Sequence, residues 1–432
     1  MRARSEASTR MSVPATATHA AEPSVGAKPR RKIPRWWFVV GFFAILAALS
    51  VLEIITGAND LTSSGTVSAM FIATVPIMLA GLGGLWSERA GIVNIGLEGM
   101  MILGTWGAGY FGYHYGAWAG VAGAVMLGVL GGLVHAVATV IFGVDHIISG
   151  VAINIIALGA VQYLASLTFV GLPGGGQTQS PKIPDVQTVT IDPISDGLFD
   201  LEKKDLFVVS ELAAVLRALV TNLSLLVVLA VLLLLLSYWL LWRTPFGLRL
   251  RSCGESPVAA ESLGIRVLRY KFVAVLVSGG LAGLGGGFLA MVASSNYRDG
   301  QTAGRGYIGL AAMIFGNWRP GGLLAGSGLF GYTDTLSLRQ GGDSVHALLL
   351  ALAVLALAMA VWQARQGQQR AAVVTGFVAL ALGALYFAID EVPSDFTRMT
   401  PYVITMLVLA FASQRLRMPT ADGQIYRKGS AG

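Results

Sequence analysis

The chain is poor in cysteine and in charge. It has one cysteine, Cys253, in 432 residues, which excludes an internal disulfide. Charged residues make up 12 % of the sequence, about half of the roughly 25 % that a soluble domain carries. The sequence has no G-x-x-x-x-G-K-[ST] phosphate loop, so an ATP-binding motif of that kind is excluded. The five histidines lack metal-ligand spacing, and we predict no metal site.

The sequence contains many long apolar runs. Hydrophobic residues make up 54 % of the chain, and the mean hydropathy is +0.67. Continuous runs of about 20 apolar residues can cross a bilayer as helices, and lipid tolerates only helices or closed barrels. We therefore predict an all-α polytopic membrane protein with about 10–12 transmembrane helices. The candidate spans are 36–55, 65–85, 94–111, 117–142, 147–170, 221–242, 271–292, 304–315, 321–338, 345–362, 371–389 and 402–413.

The charges between the spans predict the orientation. Segment 243–270 is rich in arginine, and segment 171–220 is rich in aspartate and glutamate. By the positive-inside rule, the first is expected in the cytoplasm and the second on the extracytoplasmic side. This alternation places both termini in the cytoplasm, with a transmembrane domain at 36–415. Residues 1–35 are predicted to form a disordered basic tail, and residues 416–432 a second cytoplasmic tail. The net charge of +7 therefore reflects membrane topology and does not indicate a nucleic-acid partner.

One six-residue motif, called the doubled phrase below, occurs twice in the sequence. Leu-Ala-Gly-Leu-Gly-Gly occurs at 79–84 and again at 281–286, and Ile-Gly-Leu followed by methionine and tryptophan comes after each copy. The first copy enters from the predicted outer side and the second leaves from the predicted cytoplasmic side. We therefore predict two inverted-topology repeats, a common way to build a substrate pathway. The alternative is that glycine-rich apolar phrases recur by chance. In either case, small residues predict close helix packing at both copies.

Three stretches carry a family resemblance. Residues 84–107 read GLWSERAGIVNIGLEGMMILGTWG, and residues 304–322 read GRGYIGLAAMIFGNWRPGG. Both resemble the signature regions of ABC importer permeases for nucleosides and simple sugars, the ribose-type and branched-chain-amino-acid-like permease family. Residues 254–267 resemble the ATPase-docking loop of these permeases. They keep the Ala-Ala-x-x-x-Gly pattern, although Val258 stands where many importers have glutamate.

The resemblance implies a function and partners. A permease of this family translocates nucleosides or simple sugars across the bacterial cytoplasmic membrane and performs no enzymatic reaction itself. Separate ATPase subunits would bind ATP and Mg²⁺, so no cofactor is expected in this chain. The other implied partners are an extracytoplasmic substrate-binding protein, a second permease subunit that is either identical or related, and the surrounding lipid.

A short helix is predicted inside segment 243–270. Proline suits the first turn of a helix, a preceding serine can cap it, and glycine can end it, which predicts a helix at 257–263. The resemblance makes this element the ATPase-coupling loop, although an ordinary capped surface helix is the alternative. The candidate coupling residues are Glu255, Ser256, Pro257, Ala259, Ala260 and Gly264.

Polar and aromatic side chains within the apolar sequence are candidates for the translocation pathway. They are Asn94, Glu98, Asn154, Tyr307, Asn317 and Trp318. An intramembrane carboxylate such as Glu98 is costly and is a functional hypothesis by default, but hydration near a membrane face would also explain it. Asparagine can equally join helices, and packing would explain the tyrosine and the tryptophan.

The eighth span and Glu98 leave two further questions open. The span at 304–315 is short for a crossing, so we expect either a crossing or a broken, re-entrant helix. The alternative function is an ion- or proton-coupled secondary transporter with inverted repeats, which would need an intramembrane carboxylate such as Glu98.

Overall fold

The computed structural model describes residues 36–58, 61–204, 206–339, 341–389, 392–393, 397, 399, 403 and 416–429. Nearly all the regular structure in these residues is helical, which confirms the prediction of an all-α polytopic membrane protein. The chain divides into two compact units, Met1–Ala44 and Ile45–Gly432. The predicted tail at 1–35 and, apart from Val403, the predicted span at 402–413 lie outside the described residues.

The first eight helices lead from the start of the described chain to the predicted coupling loop. They are α1 (Trp36–Thr56), α2 (Ser64–Arg89), α3 (Leu97–Tyr115), α4 (Ala117–Ala136), α5 (His146–Thr168), α6 (Asp192–Glu202), α7 (Val209–Val220) and α8 (Leu225–Arg243). A π-helical segment, Val137–Ile141, extends α4. The two-residue strands β1 (Thr188–Val189) and β2 (Leu223–Ser224) pair antiparallel, with Thr188 opposite Ser224.

Seven more helices complete the described fold. They are α9 (Pro245–Glu255), α10 (Pro257–Ser262), α11 (Val267–Phe288), α12 (Arg305–Phe315), α13 (Pro320–Arg339), α14 (Gly341–Arg365) and α15 (Gln369–Ala388). A second π-helical segment, Leu289–Ala293, extends α11.

Each of the first eleven predicted spans coincides with a helix. Among the described residues, seven helices are long and apolar enough to cross a membrane: α2, α4 with its π-helical extension, α5, α8, α11 with its extension, α14 and α15. Helix α12 has 11 residues, about 16 Å at 1.5 Å per residue, so it cannot cross a bilayer core of about 30 Å by itself. Segment 171–220 is more than a connecting loop, because α6 and α7 fold within it. Neither these two helices nor α9 was predicted from the sequence.

Glycines let the central helices touch through their backbones. A β-carbon on Gly83 of α2 would lie 2.6 Å from the backbone oxygen of Ser278 on α11. One on Gly104 of α3 would overlap the backbone oxygen of Gly283 on α11. Both doubled phrases are therefore packing seams, and this part of the prediction is confirmed. The inverted topology of the two repeats stays a prediction.

Gly104→Ala is expected to destabilise the protein. The added methyl group meets backbone atoms of Gly283, which cannot turn away as a side chain could, and overpacking of this kind costs about 1–3 kcal/mol. We expect a lower thermal midpoint for the detergent-solubilised protein. Gly159→Ala is the matched control, because nothing lies within 4 Å of the added methyl group. Equal midpoints for the two variants would contradict the seam.

The two ends of the helix bundle carry different structures. At one end, here the α7 end, the Glu202 carboxylate accepts hydrogen bonds from the Ser64 N–H (2.8 Å) and from Arg217 (2.9 Å). There the Ser180 N–H also donates to the Tyr297 carbonyl at 3.0 Å. At the other end, here the α10 end, α9 packs beside the end of α2, where Gly254 meets the Arg89 backbone, and α10 packs on α9 and α11. These contacts show which helix ends lie together at each end of the bundle.

Candidate functional site

Two non-helical stretches, 90–96 and 294–304, lead into helices that begin beside each other. Glu98 lies in the first turn of α3, and its carboxylate accepts hydrogen bonds from the N–H groups of Gly304 (2.9 Å) and Gly306 (2.7 Å) at the start of α12. The first N–H groups of a helix have no partner within it, and a carboxylate is favourable there. Glu98 therefore holds the short helix α12 in place.

Glu98 lies in a closely packed environment. The residue is 7 % exposed, and both of its carboxylate oxygens have backbone partners. A β-carbon on Gly306 would lie 2.6 Å from the Glu98 backbone nitrogen, so the close approach needs glycine. The pairing joins residues about 200 positions apart in the sequence, and no local pattern indicates it.

Asn154 on α5 extends this contact. Its side-chain oxygen accepts from the Gly99 N–H at 2.7 Å, and its side-chain nitrogen donates to the Ile95 carbonyl at 3.1 Å and to the Tyr307 hydroxyl at 2.8 Å. Tyr307 lies on α12 and is 46 % exposed. Glu98, Asn154 and Tyr307 thus form one group, here the α3–α12 cluster, with an exposed aromatic ring at its edge.

Asn94 lies outside the α3–α12 cluster. It is fully buried, its nitrogen donates to the Ser278 hydroxyl at 2.9 Å, and its oxygen accepts from the Gly96 N–H at 3.1 Å. These bonds fasten the non-helical stretch to α11. The arrangement is that of a packing residue, the alternative given above for the asparagines.

Asn317 and Trp318 lie at the α10 end, in the turn between α12 and α13. The indole N–H of Trp318 donates to the Glu88 carboxylate at 2.5 Å, and its carbonyl accepts two bonds from Arg89, at 3.0 and 2.6 Å. Both turn residues have positive φ, 55° and 52°, a conformation that non-glycine residues rarely adopt. The six candidates therefore divide into the cluster of three, one packing residue and this pair.

The predicted coupling helix is present as α10. Pro257 opens it, Ala260 is buried against Cys253, and Gly264 follows its end with a φ of +80°. The expectation of a serine cap is only partly met: Ser256 occupies the N-cap position, but its side chain makes no capping bond. Its backbone carbonyl instead accepts from the Ala260 N–H at 3.0 Å.

Two apolar side chains of this region face outward. Val258 is 41 % exposed and Leu263 is 82 % exposed. Helix α9 precedes α10 and contributes Cys253, and burial raises the pKa of the Cys253 thiol to about 11. The thiol is therefore a packing group and not a reactive one.

Segment 416–429 is a further component of the α10 end that the sequence analysis missed, since it predicted only a tail. The Ala421 N–H donates to the Gly254 carbonyl at 2.9 Å, and the Thr420 hydroxyl donates to the Glu255 carboxylate at 3.0 Å. The segment has no apolar run that would have indicated its docking.

A bundle of apolar helices in which two non-helical stretches lead to adjoining helix starts is the architecture of a membrane permease. Residues 66–361 match the family described as "branched-chain amino acid transport system / permease component". The chain belongs to this permease family. It is therefore the permease subunit of an ABC transporter, and the match decides against a secondary transporter.

The chain is similar to two nucleoside permeases over most of its length. It is 32 % identical over 370 residues to the guanosine ABC transporter permease protein NupQ of Bacillus subtilis. It is 33 % identical over 370 residues to the nucleoside ABC transporter permease protein NupC of Lactococcus lactis subsp. cremoris. Each alignment covers 84 % of this chain and 96 % of the relative. No solved structure matches the chain.

Membership of this family also determines the general role. A permease component of an ABC transporter works with ATPase and substrate-binding partners and is not itself the ATPase. The apolar helices make the chain a multi-pass membrane protein.

Proposed function

We propose that this chain imports nucleosides across the bacterial cytoplasmic membrane as one of two permease subunits, identical or related, of an ABC importer. The observation that carries the proposal is its similarity to two nucleoside permeases over 84 % of the chain. An extracytoplasmic binding protein would deliver the nucleoside to the α7 end. The α10 end would face the cytoplasm, as the arginines of segment 243–270 predict.

The ATPase partner is proposed to dock on α10. Its docking surface would include Val258 on α10 and Leu263 directly after it, which are both exposed. Helix α10 itself packs on α9 and α11 through Ala260. ATP and Mg²⁺ would bind to the partner, so this chain needs no cofactor of its own. Movement of α10 would then change the packing of the membrane helices behind it.

The α3–α12 cluster is proposed to line the path of the nucleoside. Helix starts that meet inside a bundle are a common place for substrate sites in transporters. Tyr307 offers an exposed ring and a hydroxyl, and the Asn154 amide lies 2.8 Å from that hydroxyl. A ring that can stack on a base beside groups that can bond a ribose hydroxyl suits a nucleoside.

Uptake by cells tests the substrate class. Cells that express this chain with its ATPase and binding protein are expected to accumulate labelled guanosine or adenosine, and cells without the chain are not. Unlabelled nucleosides should compete at concentrations that leave free ribose and glucose without effect. Uptake that ribose or glucose blocks, and nucleosides do not, would assign the chain to sugar transport instead.

A further inference from the structure

Segment 416–429, here called the strap, lies at the α10 end and bonds to the coupling loop both just before α10 and within it. The Thr420 backbone N–H and hydroxyl donate to the Glu255 carboxylate at 3.3 and 3.0 Å. The Tyr426 hydroxyl donates to the Glu261 carboxylate. One segment of chain therefore holds both a carboxylate just before the coupling helix and a carboxylate within it.

The strap also reaches the turn between α12 and α13. The Arg417 backbone N–H donates to the Asn317 side-chain oxygen at 2.8 Å. Asp422 lies beside Glu88, the carboxylate that accepts from the indole of Trp318. Because Asn317 and Trp318 both have positive φ, this turn depends on surrounding contacts to keep its shape.

The two sets of contacts are joined by a short, buried stretch of the strap. Ala421 is 4 % exposed and Asp422 is 9 % exposed, and the Ala421 N–H bonds to the Gly254 carbonyl at 2.9 Å. The strap thus connects two elements that are separate in sequence, the coupling loop at 255–264 and the turn at 316–319. The turn is continuous with α12, whose other end is held by Glu98.

We propose that the strap is a positioning element that ties the coupling helix α10 to the α12–α13 turn, so that both move as one unit during transport. This inference rests on the proposed function, because it assigns the route by which movement of α10 reaches the α3–α12 cluster. Thr420 and Tyr426 hold the coupling loop, Arg417 bonds to the turn directly, and Asp422 lies beside Glu88, which accepts a bond from Trp318 of the turn. Without the strap, α10 follows the ATPase while α12 stays in place, and ATP is hydrolysed without import.

Docking of the strap is also sensitive to protons. Asp422 is faced by Glu88 and Arg89 of α2, by Lys271 of α11 and by the N–H of Gly423, and burial raises the pKa of its carboxyl to about 7. A raised pKa means that the docked form holds the proton more tightly than the free strap. Docking is therefore strongest at low pH and weakens as the pH rises through about 7. The docked fraction should therefore be lower at pH 8 than at pH 6.

The test uses the full transporter, with ATPase and binding protein, in proteoliposomes. The double variant Thr420→Val/Tyr426→Phe removes the side-chain bonds to both coupling-loop carboxylates and keeps the shapes of the side chains. We expect ATP hydrolysis to persist while nucleoside import per ATP falls at least fivefold. Lys428→Ala, an exposed position of the strap, is the matched control and should import as the parent does. An unchanged import ratio in the double variant would overturn the proposal.

A disulfide cross-link tests whether the strap stays bound to the coupling loop throughout the transport cycle or must release it. In a Cys253→Ser background, Thr420→Cys and Glu255→Cys place two thiols where the 3.0 Å contact lies. If the two elements move together, the oxidised protein keeps importing nucleoside. If oxidation stops import and reduction restores it, the strap must release during the cycle and the proposal is wrong. A parent transporter that shows no ATP-dependent import would instead refute the proposed function, and the strap's role with it.

The pH dependence of the docked fraction distinguishes a role of the Asp422 carboxyl from simple packing of the strap, which would not depend on pH. A spin label at Gln424→Cys, an exposed strap position, reports the docked fraction directly in the Cys253→Ser protein. The docked fraction should fall from pH 6 to pH 8, and Asp422→Asn should remove that dependence. A pH profile that is the same with and without Asp422→Asn would show that this carboxyl does not position the strap.

Discussion

Replacement of residues 255–264 by a Gly/Ser stretch is expected to abolish uptake while the permease still inserts in the membrane. The replacement removes α10, its buried Ala260 and the exposed Leu263. Helix α10 lies at the end of the bundle, and it is six residues long. The apolar spans that drive insertion are elsewhere. Uptake and co-purification of the ATPase would be measured on the same membranes, and both should be lost.

A milder variant tests the same surface without removing the helix. Val258→Ser/Leu263→Ser keeps α10 and removes its exposed apolar side chains, so ATPase association should weaken at least tenfold. Leu338→Ser is the matched control, because Leu338 is 69 % exposed but lies next to Arg339, which bonds to Gly65 at the α7 end. Equal ATPase association in the two serine variants would show that α10 is an ordinary surface helix.

Glu98→Ala is expected to reduce uptake at least tenfold. Its carboxylate satisfies the N–H groups of Gly304 and Gly306, and each N–H left buried without a partner costs about 1–3 kcal/mol. The start of α12 would therefore shift or fray, although the spans would remain inserted. Uptake per inserted molecule, together with hydrogen exchange at 304–308, measures the two effects. Both should change in Glu98→Ala.

Glu98→Gln separates this positioning role from proton coupling. Glutamine keeps one oxygen that can accept an N–H but loses the second acceptor and the charge. We expect uptake between that of the parent and that of Glu98→Ala, with ATP still required. Uptake by the parent that a proton gradient drives without ATP, and that Glu98→Gln abolishes, would mean that the carboxylate itself carries a proton, as in a secondary transporter.

Much of the fold could be predicted from the sequence, because a long apolar run can cross lipid only as a helix or as part of a closed barrel. Each of the first eleven predicted spans coincides with a helix, and the glycines of the doubled phrase do pack backbones together, as at Gly83 and Gly283. The helices α6 and α7 were missed because they are short and lie in a charged segment, where neither length nor continuous apolarity indicates structure.

The partners of the candidate residues could not be predicted, since they come from distant parts of the chain. Glu98 is conspicuous as a carboxylate in apolar sequence, but its partners at Gly304 and Gly306 are backbone groups that no sequence pattern marks. The same applies to the strap, in which Thr420 and Tyr426 bond to carboxylates 165 positions away. Charge and spacing identified α10 itself, because Pro257 and Gly264 act locally on the backbone.

The energy source of uptake tests the central claim most directly. Proteoliposomes that contain the permease subunits and the ATPase would be supplied with the binding protein and labelled guanosine. They would be given either ATP on the α10 side or an imposed proton gradient. Our account predicts import that needs hydrolysable ATP and the binding protein and that is unaffected by a protonophore. Import driven by the proton gradient alone, without ATP or the ATPase, would contradict it.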